Sequence, residues 1–127
     1  YHQTKLANCA FTYGLKQKLD NQGIHHVLPL LAHPGLALTQ LQVTTTKQGG
    51  MDPESNFMSR AQSAEDGACG ILRACLDATA VSGNFYGPAA GWKGYPELLE
   101  PEDYLYGHHN ITINWTACEA AVGAFKF

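Results

Sequence analysis

Long apolar runs are missing from this chain. The longest strongly hydrophobic stretch, Val27–Ala32, is far short of the ~20 residues that cross a bilayer as a helix, so no membrane span is expected. There is no excess of positive charge either. Eight Lys and Arg are scattered among eleven Asp and Glu, for a net charge of −3. A phosphate-backbone binder needs a basic stripe, so nucleic acid is not an expected partner. Cys9, Cys69, Cys75 and Cys118 include no CxxC pair, which argues against a zinc or redox centre. They read as free, small, buried hydrophobes in a reducing compartment. The pairs His25-His26 and His108-His109 do not suggest a metal site, since adjacent side chains on a strand point to opposite faces; no metal ligand is assigned. The chain starts at Tyr1 with no charged segment leading into an apolar one, so no signal peptide is visible. The expected setting is cytoplasmic, and the chain reads as processed or as the later part of something longer.

What is present is an ordinary globular composition. Hydrophobic residues make up 45% of 127, enough to offset chain entropy in one domain. Tyr1 to about Gln22 reads as a helix with Leu6, Ala10, Tyr13 and Leu15 on its apolar face, stopped by Asn21-Gln22-Gly23. Ile24–Ala32 has a buried parallel strand's near-continuous hydrophobicity, although Pro29 removes a ladder donor. Leu36–Arg60 is polar and aperiodic. It is longer than structureless loops usually are and reads as a lid or binding loop, with room for a short helix, or else as a disordered insertion.

Ser63-Ala64-Glu65-Asp66 is a helix start, with Ser63 as cap and acid in the first turn. Ile71, Leu72, Cys75 and Leu76 form the stripe of that helix, which runs to about Ala80. Asn84–Tyr86 is a short strand, and Ala89–His109 reads as surface loop. Ile111, Trp115, Cys118 and Val122 mark a last helix. Helix, strand, helix, strand, helix is an α/β order with one βαβ unit, its two strands parallel neighbours joined through Ser63–Ala80.

The chemistry gathers at the start. Tyr1 and Lys5 are four residues apart, which stacks phenol and ammonium on one helix face about 5–6 Å apart at Cβ. A free tyrosine titrates near ~10, too high for a base at neutral pH. A lysine charge at 4 Å is worth about 1 kcal/mol in water and about 4 kcal/mol at an effective dielectric near 20. The pair is therefore an acid/base couple only in a covered site.

The segment Tyr1-His2-Gln3-Thr4-Lys5-Leu6-Ala7-Asn8 resembles the catalytic helix of short-chain dehydrogenases/reductases. It looks most like the branch with retinol-dehydrogenase-like and protochlorophyllide-reductase-like enzymes. His33-Pro34-Gly35-Leu36-Ala37-Leu38-Thr39 resembles that branch's HPGxxxT after the sixth strand. Ser63–Leu76 is similar to the helix after the substrate loop, and Gly83–Pro88 to the last strand. Trp115, Glu119 and Gly123 resemble the LWxxSExxTG tail. Together these cover most of the chain in the family's order.

The resemblance implies the carboxyl-terminal half of one short-chain dehydrogenase domain over residues 1–127, part of a Rossmann-type doubly wound parallel sheet, with residues 36–60 as the substrate-loop region. It implies NAD or NADP as cofactor, with the choice not readable from these residues. The substrate would be a small molecule bearing a carbonyl or an alcohol. Tyr1 would exchange a proton with the substrate oxygen. Lys5 would tune Tyr1 and bond the nicotinamide ribose. Pro34 would end the strand, Gly35 would let backbone approach the nicotinamide, and the Ala37 backbone with Thr39 would meet its carboxamide. The Gly-rich turn that seats pyrophosphate on a helix N-terminus and the family's catalytic Ser are not among the 127 residues, so the chain alone is expected to be inactive. Thr4 stands where Ser is usual, Pro29 interrupts an interior strand, and Thr116-Ala117-Cys118 lacks the Ser before Glu119. A second reading makes the chain a non-catalytic helix-packing module, with the Tyr1 helix as the surface for self-association or dimerisation.

Overall fold

The computed structural model describes residues 1–50 and 58–126. The part of the expected 36–60 loop at positions 51–57, including Asp52-Pro53, lies outside the described residues. The chain divides into two compact units. The first is Tyr1–Leu31 with Thr79–Asn84 and Glu100–Phe127; the second is Ala32–Ala78 with Phe85–Leu99. Across both, the class is mixed α/β.

The first unit is helical. Helix α1 (His2–Asn21) packs on α5 (His108–Val122), with the short α4 (Asp103–Tyr106) against both. The residues its helices bury include Ala10, Tyr13, Leu19, Ile111 and Trp115. Gly14 permits the approach of α1 to α5, since a Cβ there would lie 2.9 Å from Trp115 Cε3 and 3.2 Å from Ile111 Cγ2. Phe11 stacks on the Trp115 ring at 5.3 Å between centroids, and the Lys18 ammonium sits 4.8 Å from the same ring.

The expected stop at Asn21-Gln22-Gly23 is a Schellman motif. Ile24 N–H donates to Leu19 O at 2.9 Å and Gly23 N–H to Asp20 O at 3.0 Å, which serves two carbonyls that the helix end leaves open. Helix α5 starts three residues before the expected Ile111. Its apolar face fades past Trp115: Cys118 is half-buried and Val122 is exposed.

The expected strand over Ile24–Ala32 contracts to β1, Leu31–Ala32. Pro29 explains the contraction. It has no N–H to donate to a ladder, and its carbonyl instead accepts Gly83 N–H at 2.8 Å. His25, His26, Val27 and Leu28, ahead of it, are exposed.

The sheet has the order β1-β2-β3, with β2 at Phe85–Pro88 and β3 at Pro96–Leu99, both wholly in the second unit. Along β1 the bonds advance in the same sense on both chains: Leu31 N–H to Asn84 O, then His33 N–H to Tyr86 O, each at 2.9 Å. That is a parallel ladder, as the βαβ reading expected. The sheet is mixed rather than wholly parallel, because β2 and β3 run antiparallel, from Phe85 opposite Leu99 to Pro88 opposite Pro96. The stretch Ala89–His109, read as surface loop for its Gly, Pro and acid content, thus contains both β3 and α4. Pro88 and Pro96 pair at the loop end of that ladder, as the last residue of one strand and the first of the next, where a missing N–H is tolerated.

Helix α3 (Ala64–Leu76) starts as expected: Ser63 Oγ accepts the Asp66 N–H at 3.0 Å. It ends at Leu76, four residues short of Ala80. The stripe assigned to its packing face is not that face. Ile71, Leu72, Cys75 and Leu76 are exposed, and Gly67 and Gly70 are buried instead. A Cβ on Gly67 would stand 2.8 Å from Ala37 Cβ, and one on Gly70 3.1 Å from His33 O. The helix lies so close to residues 33–37 that only glycine fits, whereas a hydrophobicity pattern weights bulk.

The polar stretch after Leu36 contains α2 (Gln40–Lys47) and a 3₁₀ turn, Met58–Arg60. The cysteines are free, but they are not core residues: Cys9, Cys69 and Cys118 are half-buried and Cys75 is exposed. Among the described residues, no helix is long and apolar enough to cross a membrane.

Candidate functional site

Of the residues singled out by sequence, Tyr1 and Lys5 belong to the first unit and Pro34, Gly35, Ala37 and Thr39 to the second. Within the first unit, Tyr1 is the cap of α1. Its carbonyl accepts Lys5 N–H at 3.1 Å and Thr4 Oγ1 at 2.7 Å. Thr4 thus spends its hydroxyl on a local bond within the first turn of the helix. The one-turn spacing brings phenol and ammonium together as expected, with Lys5 Nζ 5.3 Å from the centroid of the Tyr1 ring. Tyr1 is 71% exposed and Lys5 is exposed as well. In this setting their mutual attraction has its weak, high-dielectric value.

Within the second unit, the turn that follows β1 is tightly built. Gly35 has φ +62°, a left-handed conformation that glycine adopts without strain. A Cβ there would meet the Trp92 carbonyl oxygen at 2.4 Å. Leu36 N–H donates to that same oxygen at 2.6 Å. The close approach expected of Gly35 is therefore made, on that side, by the chain's own backbone.

Ala37 is 4% exposed. It bridges in parallel to Gln62 through its neighbours: Leu38 N–H donates to Gln62 O and Gln62 N–H to Leu36 O, each at 2.9 Å. The Ala37 N–H and C=O consequently point away from Gln62, and neither has a hydrogen-bond partner among the described residues. Buried peptide groups are rarely left so. One free N–H beside one free C=O is the complement of a primary carboxamide, which offers an acceptor and two donors.

Thr39 is the N-cap of α2. Its N–H donates to Gln42 Oε1 at 3.1 Å, and its hydroxyl bonds the same oxygen. The hydroxyl expected near the carboxamide is thus engaged in a local capping contact. Leu38, Thr39, Gln42, Val43, Thr46 and Lys47 line a concavity of about 620 Å³ along α2, within the expected substrate-loop region.

Two positioning residues were not evident from sequence. Gln62 ties the turn from outside: its Nε2 donates to Pro34 O at 2.6 Å and its Oε1 accepts Gly94 N–H at 3.0 Å, besides the two main-chain bonds above. Nothing in a polar residue between two helices signals that role. His33 ties the turn from inside, its Nδ1 accepting Gly35 N–H at 3.1 Å. Its place just ahead of Pro34-Gly35 was the available signal.

No family model, curated protein or solved structure matches the chain. The chemistry open to these residues follows from their geometry: a phenol and an ammonium one turn apart on a helix, and a tightly bonded turn in which the buried Ala37 peptide has no hydrogen-bond partner among the described residues. Among the described residues no group of His, Cys, Asp and Glu could hold a metal ion.

Proposed function

We propose that this chain contributes the proton-transfer pair and the nicotinamide-side turn of an NAD(P)-dependent oxidoreductase of the short-chain dehydrogenase/reductase type, which interconverts a carbonyl and an alcohol. In this reading the two units are parts of the carboxyl-terminal portion of a Rossmann-type domain. The Gly-rich pyrophosphate turn belongs to sequence outside these 127 residues. The observation that carries the reading is the buried Ala37 peptide, neither of whose main-chain groups is bonded among the described residues. It lies where a nicotinamide carboxamide is expected in a sequence that also bears the Tyr1–Lys5 pair.

The cofactor, when bound, supplies or accepts the hydride; the chain's residues do the rest. In reduction, Tyr1 gives its phenolic proton to the substrate oxygen, which becomes the hydroxyl of the product. In oxidation it takes that proton back. Lys5 holds the phenolate that results, and does so strongly only where water is excluded. Its remaining N–H donors are available to ribose hydroxyls. The Ala37 N–H and C=O orient the carboxamide, and Pro34 with Gly35 fixes the turn that presents them. The concavity along α2 is a place for substrate, in a region expected to line its pocket.

The test is NAD(P)-linked turnover on a panel of ketones and secondary alcohols, by this chain joined to a Gly-rich dinucleotide-binding half. Tyr1→Phe is expected to abolish turnover and leave cofactor affinity nearly intact, while Lys5→Ala impairs both. Full turnover by Tyr1→Phe would refute the assignment.

A further inference from the structure

His33 does more than precede the turn. Its half-buried ring lies against β2, and a Cβ on Gly87 would fall 2.1 Å from its Nε2. The Phe85 ring is 5.3 Å away, tilted by 47°. Phe85 and Gly87 are two apart on a strand and share a face. The ring therefore occupies a slot that exists because residue 87 has no side chain. The same residue's main chain is held by the sheet, through His33 N–H to Tyr86 O at 2.9 Å. With backbone and ring both fixed, Nδ1 is aimed at the Gly35 N–H, 3.1 Å away. An imidazole nitrogen that accepts carries no proton, so the ring proton belongs on Nε2.

We infer that His33, as the neutral Nε2–H tautomer, is the positioning residue of the Pro34–Ala37 turn, holding Gly35 in place ahead of the buried Ala37 peptide, and that protonation of His33 releases the turn. In the cation Nδ1–H becomes a donor and faces a second donor, the Gly35 N–H. The acceptor is lost and the turn has no other bond to that amide among the described residues.

The surroundings favour the neutral form. Burial pushes the ring's titration below its ordinary value, and no charged group contributes to that shift. On β2 the facing residues are Phe85 and Gly87. On β3 the one carboxylate brought to this face is Glu97, opposite Gly87, and it is exposed. On α3 Gly70 faces the His33 carbonyl, and Arg73 is turned to the Pro96 carbonyl and the Tyr86 ring.

The bearing on catalysis rests on the dehydrogenase reading; the latch does not. The experiment is nitrogen-15 NMR of the labelled chain. At pH 7.5 the His33 ring is expected as Nε2–H with an unprotonated, hydrogen-bonded Nδ1. Its titration is expected below the free-histidine range, and the Gly35 amide shift should move with the same midpoint. In His33→Asn the side-chain oxygen replaces the Nδ1 acceptor. That variant is expected to keep the slow exchange of the Gly35 amide and lose its pH dependence. In His33→Phe, which keeps the ring without the acceptor, exchange is expected to speed at least about fivefold. An Nδ1–H tautomer, a Gly35 amide indifferent to His33 titration, or equal exchange in the Asn and Phe variants overturns the inference. If His33→Phe does not fold, the wild-type tautomer and co-titration decide. NAD(P)-linked turnover with no latch removes this inference and leaves the dehydrogenase reading; a latch in a protein that never turns over NAD(P) does the reverse.

Discussion

Replacing Gly35 by Ala tests the turn on which the proposed site depends. Two costs add there. The first is conformational: at φ +62° an L-residue is disfavoured by about 1–2 kcal/mol. The second is steric. The new methyl would sit 2.4 Å from the Trp92 carbonyl oxygen, a backbone atom that cannot swing aside as a side-chain tip can. Overpacking of that kind costs about 1–3 kcal/mol. The total is about 2–5 kcal/mol, against a domain stability of about 5–15 kcal/mol. The control is Gly91→Ala, where φ is +76° and a Cβ meets nothing within 4 Å. It incurs the first cost alone. Urea denaturation followed by circular dichroism compares the two, and the Gly35 variant should be lower by about 1–3 kcal/mol. At about 4 °C per kcal/mol the difference is visible in a thermal melt as well. If Gly35→Ala and Gly91→Ala destabilise equally, the Trp92 carbonyl is not seated on Gly35 and the account of the turn fails.

Other perturbations probe its supports. Gly67→Val places a branched side chain where a Cβ alone is 2.8 Å from Ala37 Cβ; a loss of about 1–3 kcal/mol in urea is expected, and none would mean that α3 is not packed there. Gln62→Ala removes the bonds to Pro34 O and Gly94 N–H. It should cost about 1–2 kcal/mol and speed Gly94 amide exchange, whereas unchanged exchange would count against the clamp. Tyr86 is 1% exposed and donates to Asp77 Oδ2 at 3.1 Å, so Tyr86→Phe should cost about 1–3 kcal/mol by removing a hydrogen bond to a charged group, and a neutral result in urea contradicts the bond. His33 is depressed below its ordinary value of 6.5. The unfolded chain then binds the proton first as pH falls. Stability from this group is fully present above about 6.5 and is lost as pH drops through the lower folded value. Denaturation curves between pH 7.5 and 5 should show this loss in the wild type and a smaller one in His33→Asn.

Legibility in the sequence follows the range of the interaction concerned. Local hydrogen bonding was readable: Ser63 with Asp66 three residues on, and Gly23 after a run of helix formers, are contacts made within one turn of chain. So was the parallel pairing of the chain around Leu31 with that around Phe85. Pro29 was visible as a break, but a pattern of apolar residues does not say which side of the break keeps its ladder. The packing face of α3 was misread for a different reason. Ile71, Leu72 and Leu76 carry the hydrophobicity, yet the helix sits on residues 33–37 through Gly67 and Gly70, because closeness of approach is set by the absence of side chains. Gly87 is the same case, a missing side chain that makes room for the His33 ring.

The candidate site divides along the same line. Four-residue spacing in a helix puts the Tyr1 phenol and the Lys5 ammonium side by side, and that geometry is present, with Nζ 5.3 Å from the ring centroid. Spacing carries no information about dielectric. At 4 Å the same pair is worth about 1 kcal/mol in water and about 4 kcal/mol where water is excluded, and only the larger value makes a phenol an effective base near neutrality. With Tyr1 71% exposed, the residues described here provide the pair without the enclosure. Ala37 is the converse. It is an unremarkable residue in sequence; it is 4% exposed, and among the described residues its peptide groups are unbonded because Gln62 takes the bonds of Leu36 and Leu38 on either side.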